Sequence, residues 1–135
     1  MRGQLHHVEV NVSSLSKSRK FWSWFLGRLG YRKYQEWKEG ISWKLGSTYI
    51  VFVQTQEKHL KTPYHRSATG LNHLAFQARS RKEVDLVTEE LRTRGTWILY
   101  EDDHPFAGGR DHYAVYFEDP DRMKVEFVAP RRQFH

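Results

Sequence analysis

From Leu5 to Val12 apolar and polar residues alternate one for one, so Val8, Val10 and Val12 point to one side of an extended strand and His7, Glu9 and Asn11 to the other. The polar side reads as the lining of a cavity rather than a solvated surface. Ser13, Ser14 and Ser16 offer N-caps for a helix in which Ser18, Phe21, Trp22 and Phe25 recur at three- and four-residue spacing, and Gly27 and Gly30 are its natural stops. These aromatics read as core packed on the valine face of the first strand. Three short antiparallel strands follow at Arg32 to Trp37, Ile41 to Leu45 and Thr48 to Gln54, with turns at Lys38-Glu39-Gly40 and Gly46-Ser47. Thr55 to Thr69 has little periodicity and reads as a connector.

The second half opens on a buried strand from Leu71 to Ala78, with His73 facing away from the core. Ser80 and Glu83 then form a capping box ahead of a helix whose apolar stripe is Val84, Val87 and Leu91 and which Gly95 ends. Thr96 to Tyr100, Tyr113 to Phe117 and Met123 to Val128 read as strands. Adding 66, the separation of His7 from His73, carries Val8 to Leu74, Val10 to Phe76, Ser14 to Ser80, Ser18 to Val84 and Phe25 to Leu91. Strand, cap and helix therefore recur. The last strands align at a separation of 74, which sets Phe52 over Glu126 and leaves about eight extra residues in the second half. They fit in the stretch EDDHPFAGGRDH between Tyr100 and Tyr113. The expected fold is α+β, built from two βαβββ modules, residues 1–66 and 67–135, that together make one compact domain.

Composition narrows the function. A length of 135 residues with 39% hydrophobic and 15% aromatic content suits a folded globular chain, too short for two independent enzymes. The formal charge of +6 is dispersed in short clusters such as Arg79 to Lys82, without the long basic run or aromatic signature of a nucleic-acid binder. No nucleic-acid partner is expected. With no cysteine, disulfides, thiolate ligands and a cysteine nucleophile are excluded, and any metal must sit on His, Asp, Glu or neutral oxygen. The N-terminus shows no apolar signal core and no stretch nears the roughly 20 apolar residues of a membrane span. The expectation is a cytoplasmic protein with no membrane partner.

Parity points to a site. In Met123 to Val128, Val125 and Phe127 face the core, so Glu126 faces the other way, as His7 and His73 do on their strands. Two neutral imidazoles and one carboxylate with vacant positions are the facial arrangement that suits a divalent metal which must also bind substrate oxygens, and they do not choose between Mn, Fe, Zn, Ni and Co.

The paired modules, the histidine opening each, NHLAFQ from Asn72 to Gln77, and YFEDPDRMKVEF near the C-terminus resemble the vicinal oxygen chelate superfamily. That superfamily includes glyoxalase I, extradiol dioxygenases, fosfomycin-resistance enzymes and bleomycin-resistance proteins. The resemblance implies an incompletely closed, eight-stranded mixed barrel with flanking helices, holding a divalent metal through His7, His73 and Glu126. His6 has the wrong parity to replace His7. It also implies chelation of two neighbouring oxygens of a small substrate, with the metal as Lewis acid, and a homodimer.

Two positions depart from the family pattern. Glyoxalase-type members carry a fourth ligand, usually a glutamate, where the repeat here sets Phe52; Gln54 has the same parity and is a possible neutral fourth donor. Arg122 stands where a glycine usually turns the strand. Three ligands without a fourth look more like the fosfomycin-resistance and dioxygenase branches. The net positive charge favours an anionic substrate, with Arg110 of the glycine-rich loop as a candidate clamp through paired N–H donors. His104 and His112, flanking that loop, are candidate acid or base groups. Glu9 is a candidate base, or else pairs with Lys44 or Lys124; Glu39 is a weaker one. The alternative function is a metal-free protein that sequesters a ligand between aromatic walls, as bleomycin-resistance proteins do.

Overall fold

A computed structural model of the chain describes residues 2–131. The chain divides between Pro63 and Tyr64 into two compact units. In the first, β1 (His7–Val12) is followed by α1 (Leu15–Arg28), β2 (Arg32–Trp37), β3 (Gly40–Leu45) and β4 (Thr48–Gln54). The strand order is β1-β4-β3-β2, with β1 parallel to β4 and the remaining pairs antiparallel. The second unit repeats this with β5 (His73–Gln77), α2 (Arg81–Thr93), β6 (Ile98–Leu99), β7 (Ala114–Glu118) and β8 (Lys124–Val128), in the order β5-β8-β7-β6. The fold is therefore α+β with two four-stranded mixed sheets, and the eight strands do not close into one hydrogen-bonded sheet.

The same local chemistry starts and stops both helices. Ser14 Oγ accepts from the Lys17 N–H and Ser80 Oγ from the Glu83 N–H, which satisfies one of the free donors of each first turn. The Glu83 carboxylate returns a bond to the Arg79 N–H. Each helix runs one residue beyond its last regular position and closes on a glycine in the left-handed region, Gly30 at φ 97° and Gly95 at φ 75°. The residue after each glycine bonds back five positions, Tyr31 N–H to the Leu26 carbonyl and Thr96 N–H to the Leu91 carbonyl. Gly27, expected as a stop, lies inside α1.

Each helix packs on one face of its own sheet. In the first unit Trp22 is fully buried and stacks on Phe52 with ring centroids 4.9 Å apart, and Trp43 meets Phe52 edge-on at 5.8 Å. Truncating Trp22 to alanine would cost about 3–5 kcal/mol by the usual measure of large core aromatics. In the second unit Val84, Val87 and Leu91 of α2 are fully buried, as are Phe117, Val125 and Phe127 of the sheet. The opposite face of each sheet carries the polar side chains.

Pairing corrects the repeat by one position. His7 and Glu9 lie opposite Tyr49 and Val51, while His73 and Ala75 lie opposite Lys124 and Glu126. The counterpart of Glu126 is therefore Val51, and the separation on the last strand is 75 rather than 74. The cause is the final turn. Lys44 pairs with Tyr49 but Glu118 with Lys124, so the second unit's turn holds one more residue than the first's. Phe52 shares the helix face with Val10, its partner in the pairing.

Candidate functional site

Because β5 and β8 run parallel in register, His73, Ala75, Lys124 and Glu126 share the face turned away from α2. Tyr116, opposite Glu126 on β7, joins them. Glu126 is a buried carboxylate, its side chain only 5% exposed. Removing such a charge from water costs several kcal/mol unless partners replace the lost hydration. Three do so here. His73 Nε2 lies 3.0 Å from Oε1, His112 Nε2 lies 2.5 Å from Oε2, and the Tyr116 hydroxyl also hydrogen-bonds the carboxylate.

Burial first, then the charge of Glu126 and its hydrogen bond, pushes the Tyr116 phenol up to about 12, so it holds its proton at neutral pH. The Lys124 ammonium stands 4.9 Å from the ring centres of both Tyr116 and Tyr100, a cation fixed over two aromatic faces beside the carboxylate.

His73 is oriented from its other side. Its Nδ1 is 2.7 Å from Asn72 Oδ1 and its Nε2 3.0 Å from Glu126 Oε1, so the ring is held between two oxygens. The spacing also suits a shared metal: donors about 2.1 Å from an ion and at right angles to each other are about 3.0 Å apart. His73 and Glu126 thus fit the edge of an octahedral shell. No three His, Asp or Glu side chains among the described residues already gather as a full ligand cluster.

His112 reaches the site from the long loop between β6 and β7. Tyr100, at φ 57°, turns the chain out of β6, and the loop returns with the Ala114 N–H bonded to the Pro105 carbonyl. Gly108 packs so tightly on the returning segment that a Cβ there would lie 2.4 Å from His112 Cδ2 and 2.7 Å from the Tyr116 hydroxyl. Outside the loop Arg81 lies over the rings of Phe106 and Tyr113, and the Tyr113 hydroxyl donates to Asp85 at 2.5 Å. His104, the other histidine expected near the loop, makes no contact with Glu126; burial, then the nearby Arg92, lowers its pKa.

The remaining expected residues have surroundings of their own. Arg110 is exposed on the loop and makes no hydrogen bond or ion pair with His73, Glu126 or His112. In the first unit His7 and Glu9 are exposed on the polar face of β1. His7 stacks on Tyr49 with centroids 4.7 Å apart, and its Nδ1 is 2.9 Å from Nδ1 of His6, so the neighbour with the wrong parity becomes its hydrogen-bond partner. Glu9 forms no ion pair with Lys44, which stands over the Tyr34 ring. Gln54 is turned to the start of α1: Oε1 accepts from the Leu15 N–H and Nε2 donates to the Ser13 carbonyl. Its amide serves the helix entry. Tyr116 was not among the expected residues and Lys124 only as a partner of Glu9, although both lie at alternate-strand positions that parity alone identifies.

Residues 4–127 match the Glyoxalase/Bleomycin resistance protein/Dioxygenase superfamily, and the chain belongs to it. The uncharacterised protein YqjT of Bacillus subtilis strain 168 is 57% identical over 126 residues, covering 93% of this chain and 98% of its own. A provisionally named glyoxalase from Bacillus halodurans, known from its crystal structure, is 59% identical with a TM-score of 0.94 over 96% of this chain and 97% of its own. The genomically encoded fosfomycin resistance protein FosX of Listeria monocytogenes superposes with a TM-score of 0.72 at 23% identity, over 96% of this chain and 95% of its own, a likeness of fold. No helix among the described residues is long and apolar enough to cross a membrane.

Proposed function

We propose that the protein is a divalent-metal-dependent enzyme acting on a small, anionic, oxygen-bearing substrate that chelates through two neighbouring oxygens. The observation that carries this reading is His73 Nε2 set 3.0 Å from Glu126 Oε1, with Asn72 holding the far side of the ring. His73 and Glu126 are the proposed donors of the second unit. His7, which opens β1 as His73 opens β5, is the proposed third. The ion would supply Lewis-acid stabilisation of negative charge developing on substrate oxygen.

The chain's own groups supply the rest. Lys124 provides a fixed positive charge that attracts an anion toward the β5–β8 face. Tyr116 keeps its proton and holds Glu126 in place. Arg110 is proposed as the clamp on the substrate's anionic group and Glu9 as the group that accepts a proton, each on the chemistry of its side chain. A homodimer is the proposed assembly.

Elemental analysis of protein purified without chelator tests the reading. One equivalent of divalent metal per chain, lost in His73→Ala, is expected; failure to hold or take up Mn, Fe, Co, Ni or Zn would sink it. A metal-free, ligand-sequestering protein is the second reading, favoured by the hydrogen-bonded closure of Glu126 between two imidazoles and a phenol. It predicts folded, ligand-binding protein with no metal affinity.

A further inference from the structure

Glu126 has two oxygens, and they face different partners. Oε1 is beside Nε2 of His73 at 3.0 Å, whereas Oε2 is taken by His112 Nε2 at 2.5 Å. His112 is packed into the loop. Gly108 lies against its ring, and Tyr113, the next residue, is anchored by Asp85 and by Arg81 over its face. The loop therefore presents one N–H donor to one oxygen of a buried carboxylate.

We infer that His112 is a positioning residue that fixes the denticity of Glu126, and through it the choice of metal. The inference rests on the metal-binding reading above. With Oε2 engaged by His112, Glu126 offers a single oxygen to an ion held with His73. That suits ions with compact octahedral shells, such as Mn2+ or Co2+. It disfavours Ca2+, which takes six to eight oxygens and readily uses both oxygens of one carboxylate. A hydrogen-bonding partner behind a metal ligand is commonly worth a factor of ten to a hundred in affinity. The glycine-rich loop, which the repeat leaves without a counterpart in the first half, acquires a role: it carries the donor that restricts Glu126.

The test measures Mn2+ and Ca2+ affinities of the full-length protein by calorimetry for wild type, His112→Ala, His112→Phe and His112→Gln, with thermal unfolding as a check on folding. His112→Ala and His112→Phe remove the donor, and the Mn2+ to Ca2+ affinity ratio is expected to fall roughly ten- to hundred-fold. Gln presents an amide N–H of similar reach, so His112→Gln is expected to stay within a few-fold of wild type. An unchanged ratio in both His112→Ala and His112→Phe, with Mn2+ binding still abolished by His73→Ala, overturns the role of His112 and leaves the metal reading standing. If His112→Gln behaves like His112→Ala, the imidazole acts as a metal donor itself and the inference is wrong. Wild-type protein that binds neither ion removes the metal reading and this inference with it.

Discussion

Gly108→Ala presses on His112 and on the Tyr116 hydroxyl, 2.7 Å from the added Cβ, without deleting a polar group. A Cβ at this position would sit 2.4 Å from His112 Cδ2 and 3.0 Å from Cγ, against the 3.4 Å at which ordinary contact begins. The imidazole must retreat by about 1 Å, which stretches its 2.5 Å bond to Glu126 Oε2 to about 3.5 Å, past useful hydrogen bonding. A hydrogen bond to a charged group contributes about 1.5–3 kcal/mol. Gly108 does not occupy the left-handed region, so alanine brings no backbone penalty there and recovers about 0.4–1 kcal/mol by restricting the unfolded chain. The net expectation is a loss of about 1–2 kcal/mol, or roughly 3–8 °C in Tm for a chain of this size. Gly27→Ala is the control. It is exposed inside α1 with nothing within 4 Å, so alanine should stabilise by about 0.5–1 kcal/mol. Urea unfolding measures both, and imidazole 15N shifts report whether His112 has moved. Gly108→Ala protein as stable as wild type, with unmoved His112 signals, would refute the argument.

Two further outcomes follow from the same geometry. Arg122 occupies φ 62°, where a non-glycine residue costs about 1–2 kcal/mol, and its side chain is 78% exposed with only a 3.4 Å contact to Glu118. Arg122→Gly should therefore raise stability by roughly 0.5–1 kcal/mol despite the added freedom of the unfolded chain; a lower Tm would show that the exposed contact outweighs the backbone. Tyr116 and Tyr113 both stand at about 12, raised first by burial, against about 10 when unfolded. Because the folded values are the higher ones, their contribution to stability is complete below pH 10 and is lost as pH rises from about 10 through 12. Phenolate absorbance, with Tyr116→Phe to assign the signal, should show Glu126→Gln lowering the Tyr116 value while burial keeps it above 10. Ionisation of Tyr116 near pH 10 in the folded wild type would contradict its burial beside a carboxylate.

What could be read from the chain was the part encoded by neighbours in sequence. Serine caps, left-handed glycines and three- to four-residue stripes act within one or two turns, so the repeat of strand, cap and helix at a separation of 66 was visible before any coordinates. So was the sharing of a face by His73 and Glu126, since alternation along two in-register parallel strands leaves little freedom. Pairing across turns was less accessible. One extra residue between Glu118 and Lys124 moved the counterpart of Glu126 from Phe52 to Val51, and no hydrophobic pattern marks that slip, because both positions are apolar and buried. The conclusion that the first half lacks a carboxylate there survives, for neither residue carries one. The strand expected over Thr96 to Tyr100 shrank to Ile98–Leu99 because Thr96 is used to close α2 and Tyr100 turns out into the loop.

His112 was the least legible element of the site. It belongs to a loop with no period, 14 residues before the carboxylate it touches, and only the packing of Gly108 and the anchoring of Tyr113 bring its ring to Glu126. A ligand set inferred from strand parity finds side chains that strands aim and overlooks those that a loop delivers. In this protein the two kinds meet on one carboxylate: β5 sets what stands at Oε1, and the loop sets what stands at Oε2. If the proposed ion is held at this carboxylate, changing the loop while leaving both strands intact should alter which ion is preferred before it alters whether an ion is bound.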